Sequence, residues 1–347
     1  MTRSMLRDLT FPLCVTALGL ILAFWLGYNT TGNLGGAVSF LLVGSVLAVL
    51  EISLSFDNAI VNANKLKEMS EVWQRRFLTW GILIAVFGMR IIFPLAVVAI
   101  AAKIGPIEAI RLAAYEPAQY AAIIADAHVS IAAFGGTFLM MVALCYFIDE
   151  EKEIDWLKRV ESRLRRCASV RGMAYGVVLC AMLVFTLLLP DSDAYDFMFA
   201  AALGLVVFNA VDTLGHVLDA KQAARDTARV GGLGAFLYLE VLDASFSFDG
   251  VIGAFALTQN LFLIAIGLGI GAVYVRSMTI MLVQRQTLRQ FRYLEHGAFY
   301  SIFVLSVIMY LQSIVHVPEV ITGLIGAGMI GLSLVSSVRF NRRYAAE

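Results

Sequence analysis

Apolar residues run along this chain in blocks of about 20, the length of helix that crosses ~30 Å of hydrocarbon, separated by short polar connections. The blocks fall at 9–28, 36–63, 78–102, 119–148, 172–189, 196–218, 231–257, 260–284, 297–315 and 317–338. They predict an all-α, polytopic membrane bundle of about ten transmembrane helices. The first block is too long for a signal peptide and no small-residue cleavage site follows it, so it reads as a membrane anchor. Only the connection 149–171, DEEKEIDWLKRVESRLRRCASVR, can hold an element of its own. Its charge pattern predicts an amphipathic helix lying on the cytoplasmic surface.

The basic residues orient these blocks. With both termini in the cytoplasm, 22 of the 26 Lys and Arg fall on the inner side, including all seven of 152–171. Only Lys103 and Arg111 fall outside, while Arg90 and Arg276 lie within helices. That asymmetry is the positive-inside pattern of a multi-pass protein, here expected in a bacterial cytoplasmic membrane. Composition agrees: 60% of residues are hydrophobic and 15% charged, against about a quarter charged in soluble domains. The four cysteines, Cys14, Cys145, Cys167 and Cys180, have neither disulfide nor zinc-site spacing. No soluble catalytic domain, nucleotide-binding loop or nucleic-acid partner is indicated; the bilayer is the expected surrounding, and self-association stays open.

The chain also repeats itself. Residues 49–60, VLEISLSFDNAI, match residues 241–252, VLDASFSFDGVI, at seven of twelve positions, with Glu51 facing Asp243. In the next block Gly81, Ile84 and Arg90 align with Gly267, Ile270 and Arg276 at one offset. The motifs lie in the second and seventh blocks, five crossings apart, and an odd number inverts the second copy. The expected organisation is therefore a first repeat over 1–190 and an inverted second repeat over 191–347. Inverted repeats place a transported substrate near the midplane where they meet.

Carboxylates at that depth cost roughly 2.5–3.5 kcal/mol each on insertion scales, so Glu51, Asp57, Asp243 and Asp249 call for a reason. Glu51, Ser55 and Asn58 share one helical face, whereas Glu51 and Asp57 stand ~120° apart on an ideal helix. Both acids reach one site only if the helix unwinds nearby, and Asn58 and Gly250 are the expected places. The candidate ligands are Glu51, Ser55, Asp57, Asn58, Asp243, Ser247 and Asp249, with Glu240 one turn from Asp243. Arg90 and Arg276 are expected to pair with these acids and hold them. A site of oxygen donors without Cys or His suits Mg²⁺, Mn²⁺ or Ca²⁺ better than zinc or copper. Asp212 and His216 (i, i+4) fit a helix-end pair first and a proton relay second.

The string Glu-x-Ser-x-Ser-Phe-Asp-Asn at 51–58, with Gly81 and Arg90 a span later, resembles the TerC family of integral membrane proteins. So does LEVLDASFSFDG with Arg276, although Gly250 stands where that family has a second Asn. The resemblance, to a family named for tellurite resistance and similar to the LysE-type exporters, implies divalent-metal export, chiefly of manganese. The expectation is thus a secondary transporter of a hard divalent cation, not an enzyme and without a prosthetic group. A non-transporting scaffold in tellurite or envelope-stress resistance and an amino-acid exporter are the alternatives.

Topology is testable directly. In a background lacking the native cysteines, cysteines at Ser192 and Thr258 should react with an impermeant thiol reagent applied from outside, and one at Ala224 should not. Labelling at Ala224 with none at Ser192 overturns the inversion.

Overall fold

A computed structural model describes residues 3–67, 69–81, 84–149, 152, 154–166, 172–223, 232–284, 290–315 and 317–344. The fold is 88% helix, with no strand among the described residues. The first half carries α1 (Arg3–Thr31), α2 (Leu34–Leu54), α3 (Phe56–Leu66) and α4 (Glu71–Arg76). Two π-helical stretches, Phe77–Gly81 and Ile84–Ile92, lead into α5 (Phe93–Ala101). Then come α6 (Pro106–Tyr115), α7 (Pro117–Asp126), α8 (His128–Ile148), α9 (Lys158–Arg166) and α10 (Met173–Leu188). The second half is built from α11 (Asp191–Ala223), α12 (Leu233–Leu257), α13 (Leu261–Gln284), α14 (Leu294–Gln312) and α15 (Glu319–Tyr344).

Among the described residues, seven helices are long and apolar enough to cross a membrane: Leu9–Thr31, Leu34–Ser53, His128–Ile148, Asp191–Leu214, Leu261–Val283, Leu294–Gln312 and Ile321–Arg342. The three other expected spans differ for physical reasons. The block at 78–102 is not one α-helix but π-helix followed by α5, with Gly81, Gly88 and the donor-less Pro94 along it. The α10 helix has only 16 residues. The α12 helix is 25 residues long but carries Glu240, Asp243 and Asp249.

Local sequence explains the punctuation. Gly32 at φ +70° closes α1 in the left-handed conformation that glycine adopts without strain. The Asn33 side chain then accepts from Gly36 N–H at 2.8 Å to open α2. Pro106 and Pro117 begin α6 and α7, where a missing N–H is harmless.

The α8 helix is apolar all round and sits at the centre, packed against α11 and α14. A side chain at Gly136 would meet Tyr310 Cδ1 at 2.8 Å, so glycine sets how closely α8 and α14 approach. Thr137 and Tyr310 hydroxyls bond at 2.6 Å across the same contact. On the outside, Leu18, Ile21, Leu187, Phe199, Val206, Leu324 and Leu332 are each at least 60% exposed. An apolar rind of this extent is foreign to a water-soluble surface and compatible with a multi-pass membrane protein.

The 149–171 connection carries one feature that its charge pattern does not show. Among its described residues the helix is α9, and Glu150, Glu151, Glu153 and Cys167–Arg171 lie outside them. Glu161 is 1% exposed, against the ends of α8 and α14. It accepts from Lys152 Nζ at 2.7 Å, Leu157 N–H at 2.9 Å and the Tyr300 hydroxyl at 3.2 Å. Lys152 also lies over the Tyr146 ring, 4.5 Å from its centroid. The charge pattern that reads as a solvated face thus includes one internal ion pair. The short spacing from Lys152 to Glu161 ties the segment to the bundle at that one buried carboxylate.

Burial works to raise the Glu161 carboxyl, but the Lys152 bond, the Leu157 N–H and the Lys152 and His296 charges outweigh it and hold it below its ordinary value of 4.5. A depressed carboxyl stabilises the fold above the unfolded-state value and loses that contribution as pH falls through the folded-state value. Glu161→Ala strands Lys152 and should cost about 3–5 kcal/mol, read as a lowered thermal midpoint of the purified protein at pH 7. The difference from wild type should shrink once pH drops well below 4.5.

Candidate functional site

The second apolar block does not run straight. The α2 helix ends at Leu54, Ser55 takes φ −99° and ψ 16°, and α3 starts at Phe56. The break lies three residues before the expected Asn58. Its counterpart is absent: α12 continues as one helix through Gly250 to Leu257. The two copies of the motif therefore have different backbones.

The bend at Ser55 brings Glu51 and Asp57 to the wall of one cavity with about 30 Å³ of free volume. That is room for one or two waters or a small ion. Ser53, Ser55, Gly250, Ser301 and Thr322 also line it, so α2, α3, α12, α14 and α15 all contribute. Glu51 and Asp57 are 3% and 4% exposed. Ser55 donates to Glu51 Oε1 at 3.0 Å. Asp57 Oδ1 accepts from Asn58 N–H at 2.9 Å, and Asp57 Oδ2 from Ser301 at 2.7 Å. A Cβ on Gly250 would stand 2.9 Å from Glu51 Oε2, and one on Gly271 would collide with the Glu51 stem. Glycine at 250 is therefore what lets the carboxylate of the first motif lie against the helix of the second.

Asp243 is not part of this cavity lining. Its Oδ1 accepts from Asn62 Nδ2 at 2.7 Å, on another side of α3. Glu240, one turn before it, is 8% exposed and presses on the Phe77–Gly81 stretch, its Oε1 2.8 Å from where a Gly81 Cβ would be. Asn58 is buried with Oδ1 unpartnered. The side chains of Ser247, Asp249, His216 and Arg90 lie outside the described residues. Arg276 sits with its guanidinium 5.9 Å from the Phe11 ring centroid, and its buried Nε has no hydrogen-bond partner. Among the described residues no three His, Cys, Asp or Glu gather into a metal cluster. The Glu51–Asp57 cavity is a mixed set of two carboxylates and hydroxyls.

A larger cavity of about 420 Å³ lies further along α3 and α14, lined by Asn64, Lys65, Asp149, Asp212, Glu295 and Tyr146 among others. Asn64 donates to Glu295 at 2.7 Å on its wall. Asp212 thus lies on a vestibule of mixed polar and apolar lining. Sequence reasoning missed Asn62, Ser301 and Thr322. Asn62 had a signal, since it stands one turn from Asn58 in an apolar stretch; Ser301 and Thr322 are single hydroxyls in apolar helices and had none.

Comparison with known proteins changes the ancestry. Residues 56–344 match the family described as a protein of unknown function, DUF475. The chain belongs to that family. DUF475 is a different family from TerC, and no match to TerC is found, so the resemblance drawn from the acidic motif does not hold. The physical reason is that the motif is short. An acid, two hydroxyls and an Asp on an apolar helix specify a chemistry, and unrelated membrane helices can reach it independently. No curated protein and no solved structure matches the chain.

Ser301→Ala leaves a buried Asp57 oxygen without its side-chain donor, at a cost of about 1–3 kcal/mol. A lower thermal midpoint is expected. Ser53→Ala should change little, because that exposed hydroxyl bonds back to Val49 O of its own helix.

Proposed function

We propose that this protein is a secondary membrane transporter whose substrate is a hard divalent cation, held between Glu51 and Asp57. The observation that carries the reading is the break at Ser55, which turns two carboxylates from different helical faces toward one ion-sized cavity, lined by their oxygens, hydroxyls and apolar side chains, inside an apolar bundle. Two carboxylates and several hydroxyls without thiolate or imidazole suit Mg²⁺, Mn²⁺ or Ca²⁺. Manganese and an outward direction were implied only by the TerC resemblance, so neither is preferred. Ten crossings in two inverted five-helix repeats, with both termini cytoplasmic, complete the proposal; the charge asymmetry and the repeated motif support it. On that topology the 420 Å³ vestibule opens toward the cytoplasm and the small cavity lies deeper.

The test is flux. Purified wild-type protein in liposomes should move Mn²⁺, Mg²⁺ or Ca²⁺ down an imposed gradient. Glu51→Gln and Asp57→Asn should each slow this by about tenfold or more, corresponding to ~1.4 kcal/mol or more, at unchanged folding. Wild-type flux in both variants, or no cation flux at all, sinks the transport reading and favours a scaffold.

A further inference from the structure

We propose that Glu240, Asp243 and Asn62 form a second hard-cation site, separate from the Glu51–Asp57 cavity. The inference goes beyond the transport reading and needs neither Glu51 nor Asp57. Asn62 lies five residues after Asp57 on α3, which is ~7.5 Å along the axis and about 140° around it. It therefore faces α12 and not the first cavity.

The observation is that three buried oxygens, two on Glu240 and Oδ1 of Asn62, accept no hydrogen bond. Glu240 is 8% exposed and Asn62 3%. Glu240 and Asp243 are i, i+3 neighbours on one face of α12, and the Asn62 amide is anchored there by its 2.7 Å bond to Asp243 Oδ1. That bond uses the amide's donor side and leaves its oxygen free. The Gly81 backbone closes the group, since it has no Cβ to push the Glu240 carboxylate away. A natively folded core does not collect lone acceptors, because a buried polar atom left unmet is destabilising. A cation meets them together. Three side chains supply only oxygen, so the ligand class is a hard divalent ion that completes its shell with water.

The experiment counts ions on the intact purified chain in detergent, with Mn²⁺ alone as probe and free Mn²⁺ read by electron paramagnetic resonance. Wild type should bind two ions. Glu240→Gln should bind one, and so should Gly81→Ala, which displaces the carboxylate without altering a ligand. Glu51→Gln should lose the other ion, and the Glu51→Gln/Glu240→Gln pair should bind none. Two ions retained in both Glu240→Gln and Gly81→Ala overturn the second site. So does a wild-type count of one that Glu51→Gln alone removes, and this needs no Glu240 or Gly81 variant to fold. If Glu240→Gln lowers the count and Glu51→Gln does not, the second site stands and the Glu51–Asp57 reading falls.

Discussion

The structure turns on the expense of leaving a carboxylate oxygen without a partner inside an apolar bundle. The effective penalty for a buried ion is several kcal/mol even after relaxation. Each buried acid is answered differently. Glu161 takes an ammonium, an amide and a phenol. Asp57 takes a backbone N–H and a serine. Glu240 receives no hydrogen bond on either oxygen. The first is a solved electrostatic problem and serves the fold. The last is unsolved within the protein's own atoms.

Small residues make these arrangements possible. Glu51 can lie between α12 and α13 only because Gly250 and Gly271 offer bare backbone. In lipid, helices gain little from apolar contact and associate through close packing, so glycine positions set which side chains meet. The duplicated motif is spent asymmetrically as a result. One copy bends and encloses a cavity, while the other stays straight and lends its backbone to the first copy's acid.

How much of this was legible in the chain depends on range. Blocks of apolar residues marked the helices, and the acids within them marked where chemistry is concentrated. The ~120° separation of Glu51 and Asp57 correctly required a break between or beside them, but not its place, because Ser55 carries no strong breaker signal and Asn58 does. The pairing of Asn62 with Asp243 joins residues 181 apart in sequence, and helical periodicity says nothing about such a pair. The burial of Glu161 was not legible for the same reason: charge alternation describes a face but not what one of its residues is pressed against. Ancestry was the least legible, since an eight-residue motif is too short to tell one family from another.

The bend at Ser55 makes α3 a lever. Asp57 stands two residues from the pivot, ~3 Å along the axis, and Asn62 seven residues from it, ~10 Å. A tilt of roughly 15° about Ser55 would carry Asn62 through nearly 3 Å and Asp57 through less than 1 Å, by the same helical rise. The far end of the arm would then pull clear of Asp243 while the near end kept its grip on Ser301. Whatever moves α3 is therefore felt ~3-fold more at the Glu240–Asp243 end than at the Glu51–Asp57 end, and a short stiff helix becomes a mechanical amplifier between two charged places.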